Sequence, residues 1–214
     1  MIDEIHKILK EEVRNYNVPI AELIKLKTES KFKTLIITIL SSRTTDKTLL
    51  KIHDRIFSEI NGFDDLKRLS ASEIEKLIYP VGFYRNKAKY LKRLPDVIEK
   101  EFNGRIPDNV DDLMKLPGVG RKVANVVSVV AFGNYDIGVD THVHRIMNRL
   151  GYLKTKNPDE TEKTLRKKLP KEYWKDINYI LVAFGQNLCT PISPHCSRCP
   201  IRKYCKRVEV KKSR

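Results

Sequence analysis

The stretch Leu116 to Asp140, LPGVGRKVANVVSVVAFGNYDIGVD, constrains this chain more than any other. Leu116-Pro117-Gly118-Val119-Gly120 reads as a tight turn, and Val123, Val126, Val127 and Val130 then repeat at helical spacing. The two glycines leave the backbone bare, so its N–H groups can be approached closely. They open a helix N-terminus, where partial positive charge favours an anion such as phosphate. Lys122 falls in the first helical turn, and Asp140 follows once Gly133 and Gly138 have turned the chain. Each part also has a plain reading. The turn can be only a turn, Lys122 a solvated charge and Asp140 the cap of a helix starting at Thr141.

The rest of the chain repeats its apolar residues at helical spacing. Ile5, Ile8, Leu9 and Val13 share one face of a helix over residues 1–16, which Pro19 ends. A second helix spans Lys31 to Ser41, and a third carries Leu49, Ile52, Ile56 and Ile60. Ser70 and Glu73 form a capping box. Val81-Gly82-Phe83-Tyr84 is a turn with aromatics at its tip, leading to a helix with Leu91, Leu94, Val97 and Ile98. Pro107-Asp108 starts the helix before the glycine turn. Asn157-Pro158 opens another, and a long helix runs from about Lys171 to Phe184. No alternating run bounded by turns competes, so the fold class is all-α.

Lys and Arg exceed Asp and Glu by 15 charges, an excess that points to a polyanionic partner. Nucleic acid ranks above a membrane surface, because no stretch joins a broad apolar face to a basic stripe. No apolar run reaches membrane-spanning length, and MIDEIHKILKEEV reads as an amphipathic helix rather than a signal peptide. Gln186 is the only glutamine, while charged residues abound, a pattern of heat adaptation.

All four cysteines, Cys189, Cys196, Cys199 and Cys205, fall near the C-terminal end, spaced C-x6-C-x2-C-x5-C. Clustered cysteines in an intracellular chain point to metal rather than disulfides. Zinc and a 4Fe–4S cluster both suit four thiolates. The intervening loop carries Arg198, Arg202, Lys203, Lys206 and Arg207, which would face phosphate once the loop is folded. Lys211 to Arg214 read as a solvated tail.

LPGVGRK is similar to a helix-hairpin-helix turn. Together with VDTHVHR and the cysteine spacing, it makes the chain resemble the endonuclease III family of DNA glycosylases over nearly its whole length. The resemblance implies a 4Fe–4S cluster on the four cysteines. It also implies two helical lobes: a six-helix domain over 25–135, inserted between 1–24 and 136–214, which together form the cluster domain. The chemistry is then expected in the cleft between them. The backbone of Gly118, Val119 and Gly120, with Arg121, would grip DNA phosphates. Lys122 would be the nucleophile and Asp140 the second catalytic residue, stabilising the developing sugar cation or delivering a proton. A base must leave the stack before it is cut out. Phe83 is the candidate wedge, with core packing under its loop as the plain alternative. Arg43 is the candidate contact to the widowed base, where bacterial members carry glutamine, so the opposite-base preference stays open. His142, in VDTH, would orient the site. Arg85, Lys87, Lys89 and Arg145 are further phosphate-contact candidates. A free lysine has a pKa of about 10.4, so Lys122 needs burial and the helix N-terminus to supply neutral amine.

These expectations add up to a monomeric, cytoplasmic, nucleoid-associated enzyme acting on double-stranded DNA with damaged bases or abasic sites. It would be a glycosylase and abasic-site lyase for oxidised pyrimidines. The rivals are a mismatch-specific thymine or uracil glycosylase and a non-catalytic DNA-binding module.

Overall fold

The computed structural model describes residues 1–16 and 30–214. Pro19 and the expected domain boundary at residue 24 lie outside the described residues. No strand occurs among the described residues, so the fold is all-α. The chain divides into two compact units, Ile20–Asn134 and Met1–Pro19 with Tyr135–Arg214.

In the Ile20–Asn134 unit the described helices are α2 (Lys31–Ser41), α3 (Asp46–Glu59), α4 (Phe63–Arg68), α5 (Ala71–Ile78), α6 (Tyr84–Phe102), α7 (Val110–Leu113) and α8 (Arg121–Phe132). Helix α2 is apolar on nearly every side, and its residues from Thr34 to Leu40 are buried. A helix of that kind must be surrounded. It packs on α8, which is buried continuously from Val123 to Val130. The Ser70–Glu73 capping box forms: Glu73 accepts from the Ser70 N–H at 2.8 Å and donates its own N–H to the Ser70 hydroxyl at 3.3 Å.

Two features differ from the sequence reading. Helix α4 was not foreseen; the Asp65 carboxylate starts it by accepting the N–H groups of Asn61 (2.8 Å) and Gly62 (3.2 Å). Helix α7 begins at Val110, not at Pro107-Asp108, and is a single turn capped by Asn109. The Asp108 carbonyl instead accepts Asn134 Nδ2 at 2.7 Å, tying the far end of α8 back to the start of the hairpin.

In the other unit lie α1 (Ile2–Glu12), α9 (Thr141–Arg149), α10 (Pro158–Lys168) and α11 (Ile177–Asn187), with 3-10 turns at Val13–Asn15, Lys171–Tyr173, Cys196–Arg198 and Arg202–Tyr204. Ile5, Leu9 and Val13 bury one stripe, and α1 packs on α11. The buried His6 ring meets Asp176 Oδ1 at 2.8 Å and stacks on Tyr173, while Lys10 holds Asp176 Oδ2 at 2.8 Å. Burial alone would raise the Asp176 pKa. The bonds from His6 and Lys10 outweigh it and hold the carboxyl below its ordinary value. This network breaks the long helix expected from Lys171 to Phe184: the chain turns after Tyr173, and α11 starts only at Ile177. Among the described residues, no helix is long and apolar enough to cross a membrane.

Candidate functional site

The hairpin turn closes with the Val119 N–H on the Leu116 carbonyl at 3.1 Å, and both side chains are buried. Gly118 sits at φ +78°, and a Cβ there would lie 2.7 Å from the Tyr90 ring. The fold itself therefore demands glycine at 118. It does not at 120: Gly120 is exposed, has φ −90°, and a Cβ there would meet nothing within 4 Å. Gly120 is the N-cap of α8, a place glycine favours, and its bare backbone also leaves the N–H groups of the first turn, which lack helical acceptors, open to close approach from outside. Arg121 is exposed beside it, and Lys122 follows, half-buried in the first turn of α8.

The two glycines should thus respond differently to alanine. Gly118→Ala should destabilise the protein by roughly 2–4 kcal/mol, through left-handed backbone and overpacking against Tyr90. Gly120→Ala should leave the urea midpoint near wild type and weaken duplex binding. Equal midpoints for both variants would contradict this division of roles.

Asp140 is the N-cap of α9: its Oδ1 accepts the N–H groups of His142 (2.8 Å) and Val143 (3.0 Å). The capping reading therefore holds. Both bonds use Oδ1, so Oδ2 has capacity to spare. His142 Nδ1 meets Arg145 Nη2 at 3.1 Å. His144 turns to a different partner, Thr161 Oγ1 at 2.7 Å.

Arg145 is a correction. It is half-buried, and its Nη2 also donates to Gly185 O (3.3 Å) and Cys189 O (2.9 Å), so it is an internal tie rather than a phosphate contact. Gly185 makes this possible, since a Cβ there would lie 2.5 Å from His142 Nδ1. One turn on, Arg149 was not anticipated at all. It donates to Thr190 O (2.7 Å), Pro191 O (2.6 Å) and Cys189 Sγ (3.5 Å).

Lys87 is a second correction. It is buried, and its Nζ donates to Leu40 O (2.8 Å), Ser42 O (2.6 Å) and Thr44 Oγ1 (3.2 Å). Burial pushes the amine down to about 8. The signal was present, because Lys87 shares a helical face with Leu91, Leu94 and Ile98. Arg85 and Lys89 are exposed, as expected. Phe83 is 58% exposed, which excludes core packing. Arg43 is exposed too, and its guanidinium lies 5.3 Å from the Phe83 ring centroid. Both residues hold left-handed backbone, φ 53° and 58°.

The four cysteines line one pocket with Ile146, Leu150, Phe184, Leu188 and Ile201, and none is in a disulfide. Burial, together with the other three sulfurs, pushes the Cys199 thiol up to about 11, and Cys205 is shifted the same way. Four thiols gathered in one pocket ionise together only against strong positive charge, so the donor set fits a metal centre, zinc or a cluster of iron. Arg198, Arg202, Lys203, Lys206 and Arg207 are all exposed around it. The tail is not wholly solvated, however: Arg214 donates its N–H to Pro194 O (2.8 Å) and accepts that of Ser197 (2.9 Å).

A glycine hairpin feeding a half-buried lysine, a capping aspartate and a tetracysteine pocket define a class. Residues 36–171 match the HhH-GPD superfamily of base excision DNA repair proteins, and residues 189–205 match the iron–sulfur binding domain of endonuclease III. The first span holds both Lys122 and Asp140; the second begins on Cys189 and ends on Cys205, so the chain carries the family's 4Fe–4S cofactor. Endonuclease III of Thermotoga maritima is 38% identical over 96% of this chain and 92% of its own length. A solved non-covalent endonuclease III–DNA complex matches at TM-score 0.85 and 35% identity, covering 96% of this chain and 94% of that one. A trapped endonuclease III–DNA covalent intermediate matches at 0.81 and 35%, covering 97% and 96%. The chain spans about half the length of the Arabidopsis thaliana relatives it also matches. The chain belongs to the endonuclease III family.

Proposed function

We infer that this protein is a bifunctional DNA glycosylase and abasic-site lyase that removes oxidised pyrimidines from double-stranded DNA. The carrying observation is Lys122 itself: a half-buried lysine in the first turn of α8, directly behind a turn whose exposed Gly120 leaves the backbone open to close approach. The backbone from Gly118 to Gly120, with Arg121, holds a phosphate, placing the deoxyribose within reach of the amine. Lys122 Nζ, in its neutral form, bonds to C1′ as the glycosidic bond breaks and the base leaves with that electron pair. Asp140, through the oxygen its cap does not use, stabilises the positive charge that develops on the sugar. Loss of the amine proton and ring opening yield an iminium between Nζ and C1′. That iminium acidifies the C2′ proton, whose removal expels the 3′ phosphate and nicks the strand. Water then frees the lysine. Cys189, Cys196, Cys199 and Cys205 would hold the 4Fe–4S cluster, which when bound cross-links a loop with little apolar content and presents its cations to DNA. The setting is cytoplasmic, on the nucleoid.

Borohydride trapping tests this reading. Duplex DNA containing an oxidised pyrimidine should become covalently attached to the protein. Base release without an adduct would favour the mismatch-specific thymine or uracil glycosylase, and binding with neither would leave only a DNA-binding module.

Asparagine at 140 keeps a side-chain oxygen for the cap but removes the charge. Asp140→Asn should therefore fold normally and release base roughly 10²-fold more slowly, as judged by single-turnover rates. An unaffected rate would remove Asp140 from the mechanism.

A further inference from the structure

Arg43 and Phe83 stand on separate loops, 40 positions apart, yet the structure joins those loops directly at Gly82 and again through Lys87. The Lys87 ammonium has three N–H groups, and three oxygens receive them: Leu40 O, Ser42 O and Thr44 Oγ1. Thr44 Oγ1 also accepts the Gly82 N–H at 3.1 Å. Gly82 packs so closely on the Arg43 carbonyl that a Cβ would collide with it. Lys87 lies one turn after Phe83, with its N–H on the Phe83 carbonyl at 3.1 Å. One buried cation thus binds two carbonyls that precede Arg43 and the Thr44 hydroxyl that follows it and, through its own helix, the turn that carries Phe83.

What it restrains is strained. Arg43 and Phe83 both hold left-handed backbone, which is strained for a non-glycine residue and persists only where surroundings over-determine it. Phe83 is also the N-cap of α6 without any side-chain cap. The restraint keeps an exposed ring and an exposed guanidinium together, at 5.3 Å.

We propose that Lys87 is a positioning residue. It locks the Leu40–Thr44 loop and the Gly82–Phe83 turn into one rigid reading head, so that Arg43 and Phe83 engage the strand opposite the damaged nucleotide as a unit. This rests on the glycosylase–lyase reading and assigns the control of opposite-base dependence within it. The amine, though lowered to about 8 by burial, is largely protonated at neutral pH and keeps all three donors.

Lys87→Met keeps the side-chain length and the burial while removing the clamp. Wild type and variant are compared by kcat/KM for nicking three duplexes, with the abasic site facing guanine, adenine or a second abasic site. The wild type separates the three. The variant loses about tenfold on whichever duplex the wild type nicks fastest and brings the three within about twofold of one another. Thr44→Val, at a half-exposed position, removes one acceptor and the Gly82 bond, and should show the same flattening more weakly. It serves even if Lys87→Met folds poorly. 2-Aminopurine placed opposite the abasic site should lose its binding-induced fluorescence rise in both variants. A uniform loss across the three duplexes in both variants would make Lys87 merely structural. Retained discrimination, or a wild type that does not discriminate, would overturn the proposal. A wild type that nicks none of them instead counts against the enzymatic reading itself.

Discussion

Lys122→Gln should leave a folded, DNA-binding protein that nicks abasic duplex at least roughly 10³-fold more slowly than wild type and forms no borohydride adduct. The size of the effect follows from what is removed. Base loss and strand scission both run through one nitrogen–carbon bond, and glutamine offers an amide whose nitrogen lone pair is delocalised. The fold should tolerate the change, because Lys122 is half-buried in a first turn, glutamine is a comparable helix former, and no hydrogen bond or ion pair among the described residues engages its amine. Binding should survive because the proposed mechanism assigns the phosphate grip to backbone N–H groups and Arg121. An intact thermal midpoint with abolished nicking separates loss of the nucleophile from loss of fold. Persistence of the adduct in Lys122→Gln would mean that another amine attacks, and the mechanism would have to be rebuilt around it.

Cys199→Ser should have the largest effect on stability. A serine hydroxyl does not ionise at neutral pH and cannot replace a thiolate ligand. The segment from Cys189 to Cys205 has short 3-10 turns at Cys196–Arg198 and Arg202–Tyr204, and its buried apolar residues are Pro194 and Ile201, with Leu188 flanking it. Such a loop folds on its metal rather than on its own core. The variant should lose the broad iron–sulfur absorption and more than about 4 kcal/mol of stability in the unit that holds the cysteines, with new proteolytic cuts after Arg198, Arg202 or Lys203. The loss should reach further along the chain. Arg149 donates to Cys189 Sγ and to the carbonyls of Thr190 and Pro191, and Arg145 donates to Cys189 O and to His142. Unchanged visible absorption would remove Cys199 from the ligand set.

Much of this was legible in the chain because the interactions concerned are short-range. The Ser70–Glu73 box, the Asn157-Pro158 start and the Asp140 cap each close within four residues, so the residue types alone specify them. The same holds for the glycine hairpin, where φ +78° at Gly118 is a local demand. The tetracysteine spacing carries its meaning in the chemistry of thiolates, whatever the surrounding fold. That all the described elements are helical likewise follows from apolar spacing, which is a property of the sequence.

Other outcomes depended on partners that lie far off in sequence. The place of Lys87 on an apolar helical face hinted at burial, but only oxygens more than 40 positions away make it an internal clamp. The break before α11 came from Asp176 finding His6 and Lys10 at the opposite end of the chain, an arrangement no local window contains. Arg145 and Arg149 became ties to the cysteine segment because Gly185 allows α9 and α11 to approach closely. Phe83 could have packed inward or stood out, and its exposure was decided by where the two loops met. Local propensity and thiolate chemistry thus determined the elements and the kinds of site. Tertiary packing decided which charges are buried and which face solvent, because burial depends on the neighbours a side chain acquires only after folding.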